Sequence, residues 1–200
     1  MTKVKYYHKF LNNPLPNWQI NTLILGTFNP SEGPFADYYY GRVRNGKTWS
    51  NRFWPSLNEY LKSINFQFEE LKVGDLTSKI KIMTILKFAC LDLINCVETT
   101  QNDKLINESK FSDQPLMLGS NKIDFNTKQI IQFINSKNIN LVISSWGKGT
   151  SLSKEFKLEL KQIKEKCPNV KFEYYELPAF GRPMISNKDL GEKIYNKLNQ

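Results

Sequence analysis

Residues 21–30 read NTLILGTFNP, and the five residues from Thr22 to Gly26 are apolar on both faces, too few for a helix, and closed by glycine and proline. A run of that kind is a strand buried on both sides, as in a parallel sheet. Three further runs share its character: Leu91 to Val97, Asn140 to Ser145 and Val170 to Leu177. Helical patterning falls between them, over Trp54 to Ile64, Ser78 to Ala89, Thr127 to Lys137 and Ser151 to Lys166, with a last helix over Asn187 to Asn199. Ser78, Asn126, Ser151 and Asn187 are the expected N-caps. The alternation predicts an α/β fold, a three-layer αβα sandwich around a mostly parallel four-stranded sheet with right-handed crossovers. The whole chain reads as one domain, and the polar stretch Glu98 to Asp124 as an excursion or a mobile loop.

Two hundred residues, two-fifths of them apolar, suffice for one core without disulfides or metals. Lysine and arginine outnumber aspartate and glutamate by 28 to 19, which favours anionic partners over neutral metabolites. Cys90, Cys96 and Cys167 are odd in number and lack C-x-x-C spacing, so they read as reduced thiols. The opening MTKVKYYHKF has no secretion-signal pattern, and no segment is long and apolar enough to span a bilayer. A cytoplasmic monomer with no cofactor and no metal is the expectation.

Ligands of such a sheet bind beyond the carboxyl ends of its strands. The loop after the first strand, GTFNPSEGPFADYYYGRVRNGKTWSNRFW, is dense in Gly, Pro, aromatics, Asn and Arg. Gly26 and Pro30 favour a tight turn that leaves the amides of Thr27, Phe28 and Asn29 to donate to an anion or a carbonyl, although an ordinary strand exit looks the same. Tyr38, Tyr39 and Tyr40 precede Arg42 and Arg44, with Lys47 and Arg52 further on. Aromatic faces beside cations suit a stacked base and its phosphates. Three consecutive tyrosines cannot all point one way, so at least one packs inward.

LILGTFNP, DYYYGRVRN and SNRFW together resemble the uracil-DNA glycosylase superfamily, closest to its mismatch-specific uracil/thymine and hypoxanthine-DNA glycosylase branches. NLVISSWGKG is similar to the family's third strand, and ELPAFGRPM occupies the position of its DNA-inserting loop. The resemblance implies a metal-independent DNA glycosylase that acts in base excision repair on uracil, hypoxanthine or thymine flipped out of duplex DNA. It makes Gly26, Thr27, Phe28 and Tyr40 base-binding, with Tyr40 stacking on the extruded base. Its catalytic asparagine matches Asn45 by distance from the aromatic, Asn51 by distance before Phe53-Trp54, and Asn29, shifted by one residue, by distance from Gly26. Arg182 and Met184 take the places of a phosphate clamp and of the wedge that fills the vacated stack, against a plain turn after a strand, while Arg42, Arg44 and Arg52 beside the tyrosines and Lys148 and Lys154 near the expected carboxyl edge are candidate DNA contacts.

The loop at Ala179-Phe180-Gly181 departs from the family's Ser-rich pattern and no histidine follows it. The chain's one histidine, His8, reads as a surface or packing residue. Asp37 is a second candidate for activating water, against a plain role as a loop cap or arginine partner. The Lys/Glu pattern of Ser151 to Lys166 reads as a solvated outer face. Asparagine cannot deprotonate water, so the implied reaction breaks the glycosidic bond first and passes through a sugar cation. Two other classes remain open: a non-catalytic nucleic-acid binding module on the same scaffold, and a small nucleotide or phosphoester hydrolase.

Overall fold

The structure is a computed structural model that describes residues 3–10, 15–30, 38–41, 43–44, 48–49, 51–66, 71–100, 122–146, 151–174 and 185–199, with the backbone alone at 43, 44, 48, 49 and 100. In chain order its strands are β1 (Lys3–Tyr7), β2 (Thr22–Gly26), β3 (Val43–Arg44), β4 (Thr48–Trp49), β5 (Phe88–Asp92), β6 (Ile94–Thr100), β7 (Lys122–Phe125), β8 (Leu141–Ser144) and β9 (Lys171–Tyr174). The helices are α1 (Phe53–Ser63), α2 (Leu76–Ile85), α3 (Thr127–Lys137), α4 (Lys154–Lys166) and α5 (Asn187–Leu198).

β5, β2, β8 and β9 form, in that order, the expected parallel four-stranded sheet. Alternate side chains serve its two faces, as the pleat requires. Leu23, Leu25, Ala89, Leu91 and Val142 pack with Ile130, Phe133 and Ile134 of α3 and Phe156 and Ile163 of α4. Ile24, Phe88, Cys90, Leu141 and Ile143 pack with Phe53, Trp54 and Leu57 of α1, Ile82 of α2 and Leu190 and Ile194 of α5. The chain leaves β2 toward β5 by way of α1 and α2, then returns past β2 to β8 by way of α3. This reversal makes the carboxyl tips of β2 and β8 the switch point of the sheet. At the α1–α5 crossing a Cβ on Gly191 would meet the Ser56 carbonyl, so the glycine lets the two helices close together.

Several boundaries differ from the sequence reading. The apolar run Leu91 to Val97 is not one strand: β5 ends at Asp92, and β6 starts after Leu93, whose amide donates to the Gly26 carbonyl (2.9 Å) and whose carbonyl accepts from the Asn126 amide (2.7 Å). β6 then leaves the parallel sheet and lies between β1 and β7 in an antiparallel sheet of three strands, which the sequence reading lacks. The helix read as Ser78 to Ala89 is shorter, because Lys87 adopts a left-handed φ of 53° and turns the chain into β5. The observed side-chain caps are Asp75, Ser153 and Ser186 rather than Ser78, Ser151 and Asn187, while Asn126 stands at the α3 N-cap without a side-chain cap bond. β9 is an edge strand with both ends exposed, not a strand buried on both faces. Of the excursion, 101–121 lie outside the described residues, and its ends belong to β6 and β7. Among the described residues no helix is long and apolar enough to cross a membrane. All three cysteines are buried free thiols.

Candidate functional site

β2 ends at Gly26, and the segment that follows is stitched to its surroundings by its carbonyls. Those of Thr27 and Asn29 accept from the amides of Ile94 (3.1 Å) and Lys9 (2.7 Å), and Pro30 bridges to His8. Across from Gly26 in the parallel register stands Asp92, the last residue of β5. Asp92 is 3% exposed. An ionised carboxylate so far from water is tolerated only where strong donors replace the lost hydration.

Two donors meet one of its oxygens. Asp92 Oδ2 accepts from His8 Nε2 at 2.8 Å and from Asn29 Nδ2 at 2.6 Å. The ring's other nitrogen, Nδ1, accepts the Phe10 amide at 3.1 Å. An acceptor at Nδ1 leaves the proton on Nε2, so His8 is the neutral tautomer that donates to the carboxylate. Tyr39 stacks on the imidazole at a centroid distance of 5.7 Å, and Phe10 and Phe28 close in from other sides. His8 is thus neither a surface residue nor a mere packing residue, being 5% exposed and bonded to the acid. Asn126 donates its side-chain amide to the Asp92 carbonyl at 3.2 Å, and its own Oδ1 is buried without a partner among the described residues.

The other carboxylate oxygen points toward Gly26. A Cβ at Gly26 would overlap Asp92 Oδ1 and come within 2.8 Å of the Tyr40 hydroxyl, so glycine is what lets these two groups converge over the strand tip. Tyr40 reaches that point with a left-handed φ of 56°, which disfavours a side chain by roughly 1–2 kcal/mol. Its ring packs against Phe53 at 5.2 Å. Tyr38 and Tyr39 are buried in the core, as the sequence argument required of at least one of the three. Burial, with the neighbouring Cys90 and Asp92 adding to it, pushes the Tyr38 hydroxyl far above its ordinary value of 10.0. Burial and then the Asp92 charge do the same to Tyr39 and to the Cys90 thiol, so all three stay neutral around the carboxylate.

Beside Asp92 lies a partly enclosed crevice lined by His8, Tyr38, Tyr39, Asn95 and Asn126 among others, with a cavity volume of about 30 Å³. That admits a water molecule, whereas pockets for organic ligands run to roughly 300–1,000 Å³.

The remaining sequence candidates divide. Gly26, Thr27, Asn29 and Tyr40 gather at the tip; the Phe28 ring is turned into the core. Asn51 accepts the Phe53 amide through Oδ1 at 2.8 Å and thereby starts α1. Arg52 donates to Asn187 Oδ1 (2.9 Å) and to the Ile185 carbonyl (2.7 Å), tying α1 to the start of α5. Arg44 is described by its backbone alone, paired with Thr48 in a β3–β4 hairpin that brackets residues 45–47. Asp37, Arg42, Asn45, Lys47, Lys148, Arg182 and Met184 lie outside the described residues. The residues that sequence reasoning missed are Asp92 and His8. Asp92 had a signal, as the lone charge inside the apolar run ACLDLINCV; His8, 84 positions away, had none. No family model matches the chain, and neither a curated protein nor a solved structure matches it.

Proposed function

We propose that this chain is a DNA glycosylase that hydrolyses the N-glycosidic bond of a deaminated or mismatched base flipped out of DNA. The observation that carries the reading is the convergence of Gly26, Asn29 and Tyr40 at the carboxyl tip of β2, beside the switch point of the sheet. The resemblance of LILGTFNP and DYYYGRVRN to the uracil-DNA glycosylase superfamily and the net charge of +9 support the same reading.

In this scheme DNA gives up a nucleotide to the site at roughly a few kcal/mol, least for a mismatched or damaged base. Tyr40 offers its ring to the base. Of the two candidate asparagines among the described residues, Asn29 and Asn51, Asn29 has the better geometry for the catalytic role. Its Nδ2 is fixed on Asp92, so the orientation of its carboxamide is set before substrate arrives. Asn51 is engaged in starting a helix. Where bond cleavage runs ahead of water attack, an oriented carboxamide contributes by placing the water, without itself acting as a base.

The test is incubation of the protein, without added metal, with duplexes containing uracil, hypoxanthine or a G·T mismatch, followed by alkaline cleavage at abasic sites. Strand breaks at the target position, lost in Asn29→Ala, are the expected result. Binding without base release on every duplex would leave a nucleic-acid binding module, and hydrolysis of free nucleotides in place of DNA would make the chain a small-molecule hydrolase.

A further inference from the structure

We infer, resting on that reading, that Asp92 is the group that takes the proton from the attacking water and that His8 is its positioning residue. Both His8 and Asn29 donate to Oδ2. This fixes the carboxylate plane and directs Oδ1 to Gly26 and the strand tip, where a glycine is required for it to fit. Asp92 also lines a crevice on the side of His8, Tyr38 and Tyr39 that has room for a water molecule and not for a base.

The C1′–N bond breaks and its electron pair leaves with the base; the water oxygen bonds to C1′; one water proton passes to Asp92 Oδ1. The departing base is protonated by solvent, and Asp92 returns its proton to solvent. The protonation of Asp92 is set against a neutral His8 from β1, the Tyr38, Tyr39 and Tyr40 hydroxyls from the turn at 38–41, the Cys90 thiol from β5, and the uncharged amides of Asn29 and Asn126.

The experiment is single-turnover base release from the duplex that the wild type cleaves, measured across pH alongside duplex binding. Asp92→Asn keeps the shape and is expected to lower the rate about 100-fold or more with binding within about threefold. In the wild type the rate falls on acidification, because the carboxylic acid cannot accept the proton, and Asp92→Asn has no such limb. His8→Gln retains a donor toward Oδ2 and holds the rate within about fivefold, whereas His8→Phe moves the acid limb to higher pH, which a merely structural role would not do. A folded Asp92→Asn within about threefold of the wild-type rate, or a wild-type rate flat with pH should the variant not fold, overturns the role while leaving the glycosylase reading intact. A wild type that releases no base from any of the duplexes overturns both.

Discussion

The two ends of the parallel sheet are built differently. At the amino ends lies the larger hollow, with a cavity volume of about 520 Å³, bordered by Asn21, Lys87, Asn140, Lys171 and Asn199. At the carboxyl ends the cavity measures about 30 Å³ but is bounded by a buried carboxylate and a histidine of fixed tautomer. The amino-end hollow takes the last residues of α2 and α5, Ile85 and Leu198, into its rim. Helix carboxyl ends carry partial negative charge and repel phosphate. Volume and the buried ion therefore sit at opposite ends, and the ion is the better guide, because a buried charge needs support from the rest of the fold.

The contrast breaks most readily at Gly26. Gly26→Val drives a side chain into Asp92 and is expected to destabilise by about 3 kcal/mol, a fall of about 6–12 °C in melting temperature, with base release lost. Melting within about 2 °C of the wild type would mean that the two strand tips are not in contact. Next in size is Arg52→Ala, which removes two bonds from a guanidinium; about 2 kcal/mol, read as about 4–8 °C by calorimetry, is expected. Unchanged melting with weakened duplex binding would move Arg52 to the DNA surface.

A smaller effect is expected at Asp75, which caps the helix whose far end borders the amino-end hollow. Its side-chain and backbone hydrogen bonds with Ser78 hold its carboxyl below the ordinary value of 3.8. The cap contributes fully above that value and is lost as pH falls through the lower value in the folded chain. Asp75→Ala should therefore melt lower by about 1 kcal/mol at neutral pH, with the gap to wild type closing as the solution is acidified. Smallest is Lys171→Ala, which removes an exposed lysine that borders the amino-end hollow and pairs with the half-buried Glu173. A change under about 0.5 kcal/mol and unaltered base release are expected; loss of release would put function at the wrong end of the sheet.

The parallel sheet was legible because its strands are short apolar runs with hard stops. The bounds of β2 and α3 match the sequence reading, since Gly26 ends the first and Asn126 and Asn138 flank the second. The antiparallel sheet was not legible. β1, KVKYY, is too short and polar to signal burial, and β6 hides in the same apolar run as β5. The site was half legible for the same reason: Gly26, Asn29 and Tyr40 are close in sequence and share one loop. Asp92 and His8 meet through the pairing of β1 with β6 and the bridge of His8 to Pro30, contacts that no local pattern encodes.

That pairing ties the proposed base to a strand at the edge of the antiparallel sheet. β1 is an edge strand with one hydrogen-bonded neighbour, and its end delivers the imidazole. Each time it frays, the carboxylate loses a proton donor while the central sheet stays intact. On the proposed mechanism, the fraction of molecules fit to react follows the opening of this ribbon, and amide exchange along β1 is its gauge.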